Sequence, residues 1–278
     1  MTTSKTTATR WLASGRPAIV VEVTEARGSA PRDAGTRMLV DAERVEGTIG
    51  GGHLEWKAIE QARQMVSSPG SASPQSVFYP LGPALGQCCG GAVTLGYSLL
   101  DQSAIERWPE SVAMFHLQLH GAGHVGRAIV QALAPLNVRI DWIDEREQEF
   151  ARHVAPVTGA ADVRSVCVDA VEAEVRLAPP GAFYLVLTHE HDLDLRITEA
   201  ILRRGDFAFL GLIGSKTKRE RFFHRFEQRG FARSLIERIT CPIGIPGIDG
   251  KEPELIAVAV AAQMLQVSGR LDKPGPLA

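Results

Sequence analysis

The pattern of apolar and polar positions changes character near residue 110. Before it, short apolar runs alternate with glycine-rich turns. Residues 18–23 form a β-branched run that Gly28 and Pro31 bring to an end. Residues 36–41 read as a second strand, and residues 47–50 as the start of a turn region. Residues 53–66 place Leu54, Ala58, Ile59, Ala62 and Met65 on one helical face. Residues 67–76, rich in Ser and Pro, read as a loop, and residues 76–79 as a short strand. A glycine-rich loop over 81–91 and a strand over 92–100 follow. Residues 1–11 read as the polar start of a first helix. Together these predict a mixed α+β domain over residues 1–105.

Residues 101–110 are polar, contain Pro109 and fit a linker. Beyond them strands and helices alternate. Strands are predicted over 114–120, 138–143, 163–168, 182–188 and 207–213, and helices over 125–134, 193–204, 217–229 and 253–267. The fold class is therefore α/β, with a Rossmann-like, doubly wound parallel sheet over residues 112–278.

Composition narrows the function classes. The 278 residues are 45% hydrophobic and 22% charged, which excludes a wholly disordered chain. Thirty Lys and Arg against 32 Asp and Glu give a formal charge of -2, so no global basic field points to nucleic acid or anionic lipid. No apolar run approaches the ~18 residues that span a bilayer, and residues 1–11 have no apolar core of a secretory signal. A cytoplasmic globular protein is expected. Its four cysteines read as reduced thiols, with Cys167 and Cys241 as small buried residues at strand positions.

The run Gly121-Ala-Gly-His-Val-Gly126 fits G-x-G-x-x-G, follows a predicted strand and opens a predicted helix. Gly121 permits the tight turn, Gly123 a close approach of pyrophosphate, and Gly126 close helix–strand packing. The helix N-terminus offers N–H groups to phosphate. Asp144 ends the next strand, where a ribose hydroxyl would bind, and the neighbouring Arg146 would instead favour a phosphate. His124 is either a phosphate donor or a loop cap. Thr188, His189, His191 and Asp192 follow one later strand; Gly214, Ser215 and Lys216 follow another. Both loops lie at the carboxyl ends of strands, where ligands of such sheets bind. The spacing of His189 and His191 also suits a metal. Lys218, Arg221, Arg225 and Arg229 read as the solvated face of an amphipathic helix.

The stretch Leu85-Gly-Gln-Cys-Cys-Gly-Gly91 carries the most pointed chemistry. Its glycines leave Cys88 and Cys89 uncrowded, and vicinal cysteines pair poorly with each other. Two thiols in one loop suit a soft metal or sulfur transfer. Two further loops offer anion-binding groups. One is Gly28-Ser-Ala-Pro-Arg32, with Ser29 and Arg32. The other is Gly50-Gly-Gly-His-Leu-Glu55, with Gly51, Gly52, His53 and Glu55.

In this order, with Thr188-His-Glu-His191, Gly211-Leu-Ile-Gly-Ser215 and Cys241-Pro-Ile-Gly244, these motifs resemble the XdhC/CoxI family of xanthine dehydrogenase accessory proteins. The resemblance covers nearly the whole chain. The family's usual Thr-His-Asp-His reads Thr-His-Glu-His here. The resemblance implies an N-terminal XdhC/CoxI-type domain and a C-terminal Rossmann-like domain. It implies a chaperone, not an enzyme, that binds the molybdenum cofactor (molybdenum bound to molybdopterin) and protects it during sulfuration. Delivery would be to the molybdenum-binding subunit of apo xanthine dehydrogenase. A cysteine desulfurase as partner and a homodimer are implied as well. Cys89 stands at the family's Cys-Gly-Gly position and is preferred to Cys88 as the molybdenum or sulfur contact. The alternative from the residues is an NAD(P)-dependent oxidoreductase that uses the Rossmann turn, with His189 or His191 as acid/base.

Overall fold

A computed structural model describes residues 3–67, 73–81, 90–109, 112–151 and 160–271. Cys88 and Cys89 lie outside the described residues. The chain divides into two compact units, Met1–Ser111 and Val112–Ala278.

The first unit is an antiparallel sheet of order β3-β2-β1-β5-β4. Its strands are β1 (Ile19–Arg27), β2 (Arg37–Val40), β3 (Val45–Gly47), β4 (Gln75–Pro80) and β5 (Ala92–Leu99). Alternation along β1 gives the sheet two apolar faces. Ile19, Val21 and Val23 meet helix α2 (Gly52–Ser67), which buries Leu54, Ala58, Ala62 and Met65 against them. Full burial of a side chain such as Leu54 contributes roughly 1.5–3 kcal/mol. Ala18 and Val20, from the other side, pack with Trp11 of helix α1 (Lys5–Ala13).

The expected linker is a correction. Asp101 accepts a hydrogen bond from the Ala104 N–H at 2.7 Å and so caps helix α3 (Gln102–Glu106). Ala104, Ile105 and Trp108 are buried in the same cluster as Trp11, and the Trp108 indole donates to the Thr3 carbonyl at 3.2 Å. Residues 101–108 therefore pack into the first unit beside α1.

The second unit is a six-stranded parallel sheet, β11-β10-β9-β6-β7-β8. The strands are β6 (His116–His120), β7 (Arg139–Asp144), β8 (Asp162–Cys167), β9 (Phe183–Val186), β10 (Phe209–Leu212) and β11 (Ile239–Thr240). The order reverses between β6 and β9, as in a doubly wound dinucleotide-type sheet. Strands β9 and β10 are buried at every position because helices cover both faces. Helices α4 (His124–Leu133) and α9 (Pro253–Leu271) cover one face. Helices α6 (His191–Arg204) and α7 (Lys216–Gln228) cover the other. Short helices α5 (Glu147–Ala151) and α8 (Arg233–Ile236) complete the unit.

Cys241 is buried, as expected, but Cys167 is exposed. The reason is topological: β8 is an edge strand, and each of its residues is exposed or half-buried.

Candidate functional site

In the first unit the glycine loops close on one another. A Cβ on Gly91 would stand 2.5 Å from both the Arg27 and Ser29 carbonyl oxygens. The end of the thiol loop therefore lies flat against the Gly28–Arg32 turn. The Gly91 carbonyl also accepts from the Leu81 N–H at 2.8 Å. On the other side Gly50, with φ +122°, lies against Pro31, where a Cβ would come within 2.5 Å. Ser29 and Arg32 are exposed on the turn held between these glycines. His53 stacks on the exposed Trp56 ring at 5.7 Å.

The Gly50–Gly52 loop is not the vacant anion nest that its sequence suggests. Oε2 of Glu55 accepts from the Thr48 hydroxyl at 2.5 Å, the Ile49 N–H at 2.9 Å and the Gly51 N–H at 3.0 Å. The chain's own carboxylate thus takes the Gly51 amide of the loop and the Ile49 amide just before it. Glu55 shapes the loop, while Ser29, Arg32 and His53 remain outward.

In the second unit the predicted residues gather beyond the carboxyl ends of β6, β7, β9 and β10. The Gly121–Gly126 turn is held from within. Trp142 donates to the Gly121 carbonyl at 3.1 Å and Arg127 to the Ala122 carbonyl at 2.8 Å. A side chain on Gly121 would strike the Leu187 carbonyl, and one on Gly126 the Gly121 carbonyl. Gly123 differs: a Cβ there would meet nothing within 4 Å, so this side of the backbone is open to a ligand. His124 is exposed beside it at the start of α4, whose N-terminus no side chain caps.

Asp144 has a different environment from the one its position suggests. Its carboxylate is buried. Oδ1 accepts from the Arg146 N–H and Nε, both at 2.9 Å, and Oδ2 from the Ala122 N–H at 2.7 Å and Arg146 Nη2 at 2.9 Å. Burial by itself would raise this carboxyl, but the bonds from Arg146 and Ala122 hold it below the usual carboxylate range. His189 places Nε2 3.5 Å from Oε1 of Glu145, the residue after β7, and so links two of the predicted loops.

Thr188 is fixed by a buried acid that the sequence did not single out. Asp194 Oδ1 accepts from the Thr188 N–H at 2.9 Å and its hydroxyl at 2.7 Å. Asp194 Oδ2 accepts from Lys218 Nζ at 2.5 Å, and Lys218 also donates to the Ile213 carbonyl at 2.8 Å. Lys218 is buried here, which corrects its assignment to a solvated face. The signal was present: Lys218 lies four residues before Phe222, on the apolar side of α7. Ser215 caps α7 by accepting from the Lys218 N–H at 3.2 Å. The Thr188 and Ser215 loops are thereby bound into one rigid rim. A small pocket beside it is lined by His191, Asp192, Lys218, Arg221, Phe222 and Arg225. Among the described residues, no three His, Cys, Asp or Glu side chains gather as a metal site.

Comparison with known proteins places this arrangement. A model of the XdhC Rossmann domain matches residues 117–264, and a model of the XdhC and CoxI family matches residues 11–77. The uncharacterized protein YqeB of Escherichia coli (strain K12) is 32% identical over 267 residues, or 94% of this chain and 45% of that protein. The chain thus spans about half the length of that curated relative. The crystal structure of a protein from Bacillus halodurans, described as a xanthine dehydrogenase, superposes with a TM-score of 0.75. It covers 99% of this chain and 98% of that one at 19% identity, a likeness of fold. With one family model matching over half of its length and another matching the N-terminal unit, the chain belongs to the XdhC and CoxI family.

Proposed function

We propose that this protein is a maturation factor for a molybdoenzyme. It binds the molybdenum cofactor as cargo, shields it while the terminal sulfido ligand is installed, and passes it to apo xanthine dehydrogenase. Family membership supports the maturation role. The observation that carries the binding reading is the packing of Gly91 and Gly50 on either side of the Ser29–Arg32 turn.

That packing sets an exposed hydroxyl and a guanidinium on the turn beside Gly91, and Cys89 stands two residues before Gly91 in the sequence. A phosphate-bearing pterin with a soft metal centre suits these groups: Arg32 neutralises phosphate, Ser29 donates to it, and the Cys89 thiolate meets the metal or its sulfur. Cys88 is the secondary thiol. A cysteine desulfurase would provide the sulfur, and a homodimer in the cytoplasm is the proposed working form. The protein then turns over no substrate of its own.

Activation is the test. The purified chain, loaded with molybdenum-bearing molybdopterin, is mixed with apo xanthine dehydrogenase, and xanthine oxidation is followed. Activation above that by free cofactor is expected. Equal activation with and without the chain would refute the proposal.

A further inference from the structure

We infer that Arg146 is a specificity-determining residue that closes the adenosine-ribose position of the Gly121–Gly126 turn, so that the turn rejects NAD(H). In turns of this type the acid after the second strand accepts hydrogen bonds from ribose hydroxyls. An ionised carboxylate has about four lone-pair positions to offer. All four at Asp144 are in use: two by the Arg146 side chain, one by the Arg146 N–H and one by the Ala122 N–H. The group is also buried, leaving no open side for a sugar.

The local geometry explains why the clamp forms without a ligand. Arg146 lies two residues after the acid. An Asp accepting from the backbone N–H at that spacing makes an Asx-type turn, which brings the Arg146 side chain back over the carboxylate. The resulting fork of two N–H groups is charge-assisted, and a neutral hydroxyl is a weaker donor than either. A diol must therefore break the stronger bond to make the weaker one.

A ribose carrying a 2′-phosphate fares no better. Around Arg146, Glu145 and Glu149 add negative charge to that of Asp144. A dianionic phosphate at the Arg146 guanidinium would meet Asp144 and Glu145, and Glu149, which Arg127 partly neutralises at 3.1 Å. This selection is independent of the cofactor-chaperone reading, because it concerns only which ribose the turn can hold.

The test is a fluorescence titration of the full-length protein with NADH and with NADPH. The parent should bind neither saturably. Arg146→Ala frees two of the acceptor positions and should bind NADH at least ~10-fold more tightly than the parent. Adding Asp144→Ala to that variant should abolish the gain, which a nonspecific opening of the site would not do. Arg146→Gln, which loses the fork but keeps a polar side chain, should show a smaller gain. Parent binding equal to that of Arg146→Ala would overturn the inference, and so would the absence of any gain in the folded variants. Saturation-transfer NMR on the parent alone decides the matter if the variants do not fold. Strong transfer to the adenosine ribose protons of NADH would overturn the proposal, and its absence is expected.

Discussion

Replacing His120 by Phe tests the packing of the Rossmann sheet through its pH dependence. His120 ends β6 and is fully buried, with its ring stacked on Tyr184 at 6.5 Å. Neither ring nitrogen has a hydrogen-bond partner. Burial lowers its pKa from 6.5 to about 3. The unfolded chain takes up the proton near the ordinary pKa, whereas the folded chain resists it. Between these values the unfolded state binds more protons, so stability falls as pH falls.

The contribution is complete above pH 6.5 and is lost progressively toward pH 3. Linkage between pH 7 and pH 5 gives a loss of about 2 kcal/mol, or ~25-fold in the opening constant. Phe keeps the ring and the Tyr184 stack but cannot titrate. Hydrogen exchange of the β6 and β9 amides, corrected for the intrinsic effect of pH, reads this directly. The parent should lose ~25-fold more protection than His120→Phe over that interval. Equal losses would refute the argument that a neutral, unpaired imidazole is held in this core.

Other perturbations separate structural from ligand-binding groups. Lys218→Met leaves the Asp194 carboxylate buried without its cation and should cost about 3–5 kcal/mol in urea denaturation; a change below ~1 kcal/mol would contradict the Asp194–Lys218 tie. Gly91→Ala forces a methyl group onto two carbonyl oxygens and should lower the melting temperature clearly, by about 1–3 kcal/mol of stability. Gly90→Ala faces open space and should lower it little. If the two alanine variants melt alike, the loops do not pack as described.

Much of the fold was legible because it is written in local periodicity. The strand ending in Gly121-Ala-Gly and the next ending in Asp144 announce the doubly wound sheet, and β9 and β10 announce its buried centre. The departures share a cause: each depends on a partner far away in sequence. The run over 101–110 reads as a linker because only Ile105 and Trp108 are strongly apolar. They count as core once Trp11 and Val20 are placed beside them. Cys167 looks buried until β8 is known to be an edge. Lys218 looks solvated until Asp194, 24 residues earlier, is seen at its ammonium.

The candidate site divides in the same way. Gly121, Gly123 and Gly126 could be ranked by motif, and the structure separates packing glycines from the open one. Glu55 and Asp144 were legible as important acids. Their actual use, holding the chain's own N–H groups, follows from the folded geometry of their loops.

The central claim, that this chain carries the molybdenum cofactor through its thiol loop, is tested most directly by what it retains. The parent, Cys89→Ala, Cys88→Ala and Cys167→Ala are purified from cells making the cofactor. Each is then oxidised to release fluorescent pterin, and molybdenum is counted in the same samples. The account predicts pterin and molybdenum in parallel on the parent and on Cys167→Ala, a partial loss in Cys88→Ala, and loss of most of both in Cys89→Ala. Full retention of pterin and molybdenum by folded Cys89→Ala, or none on the parent, would contradict it.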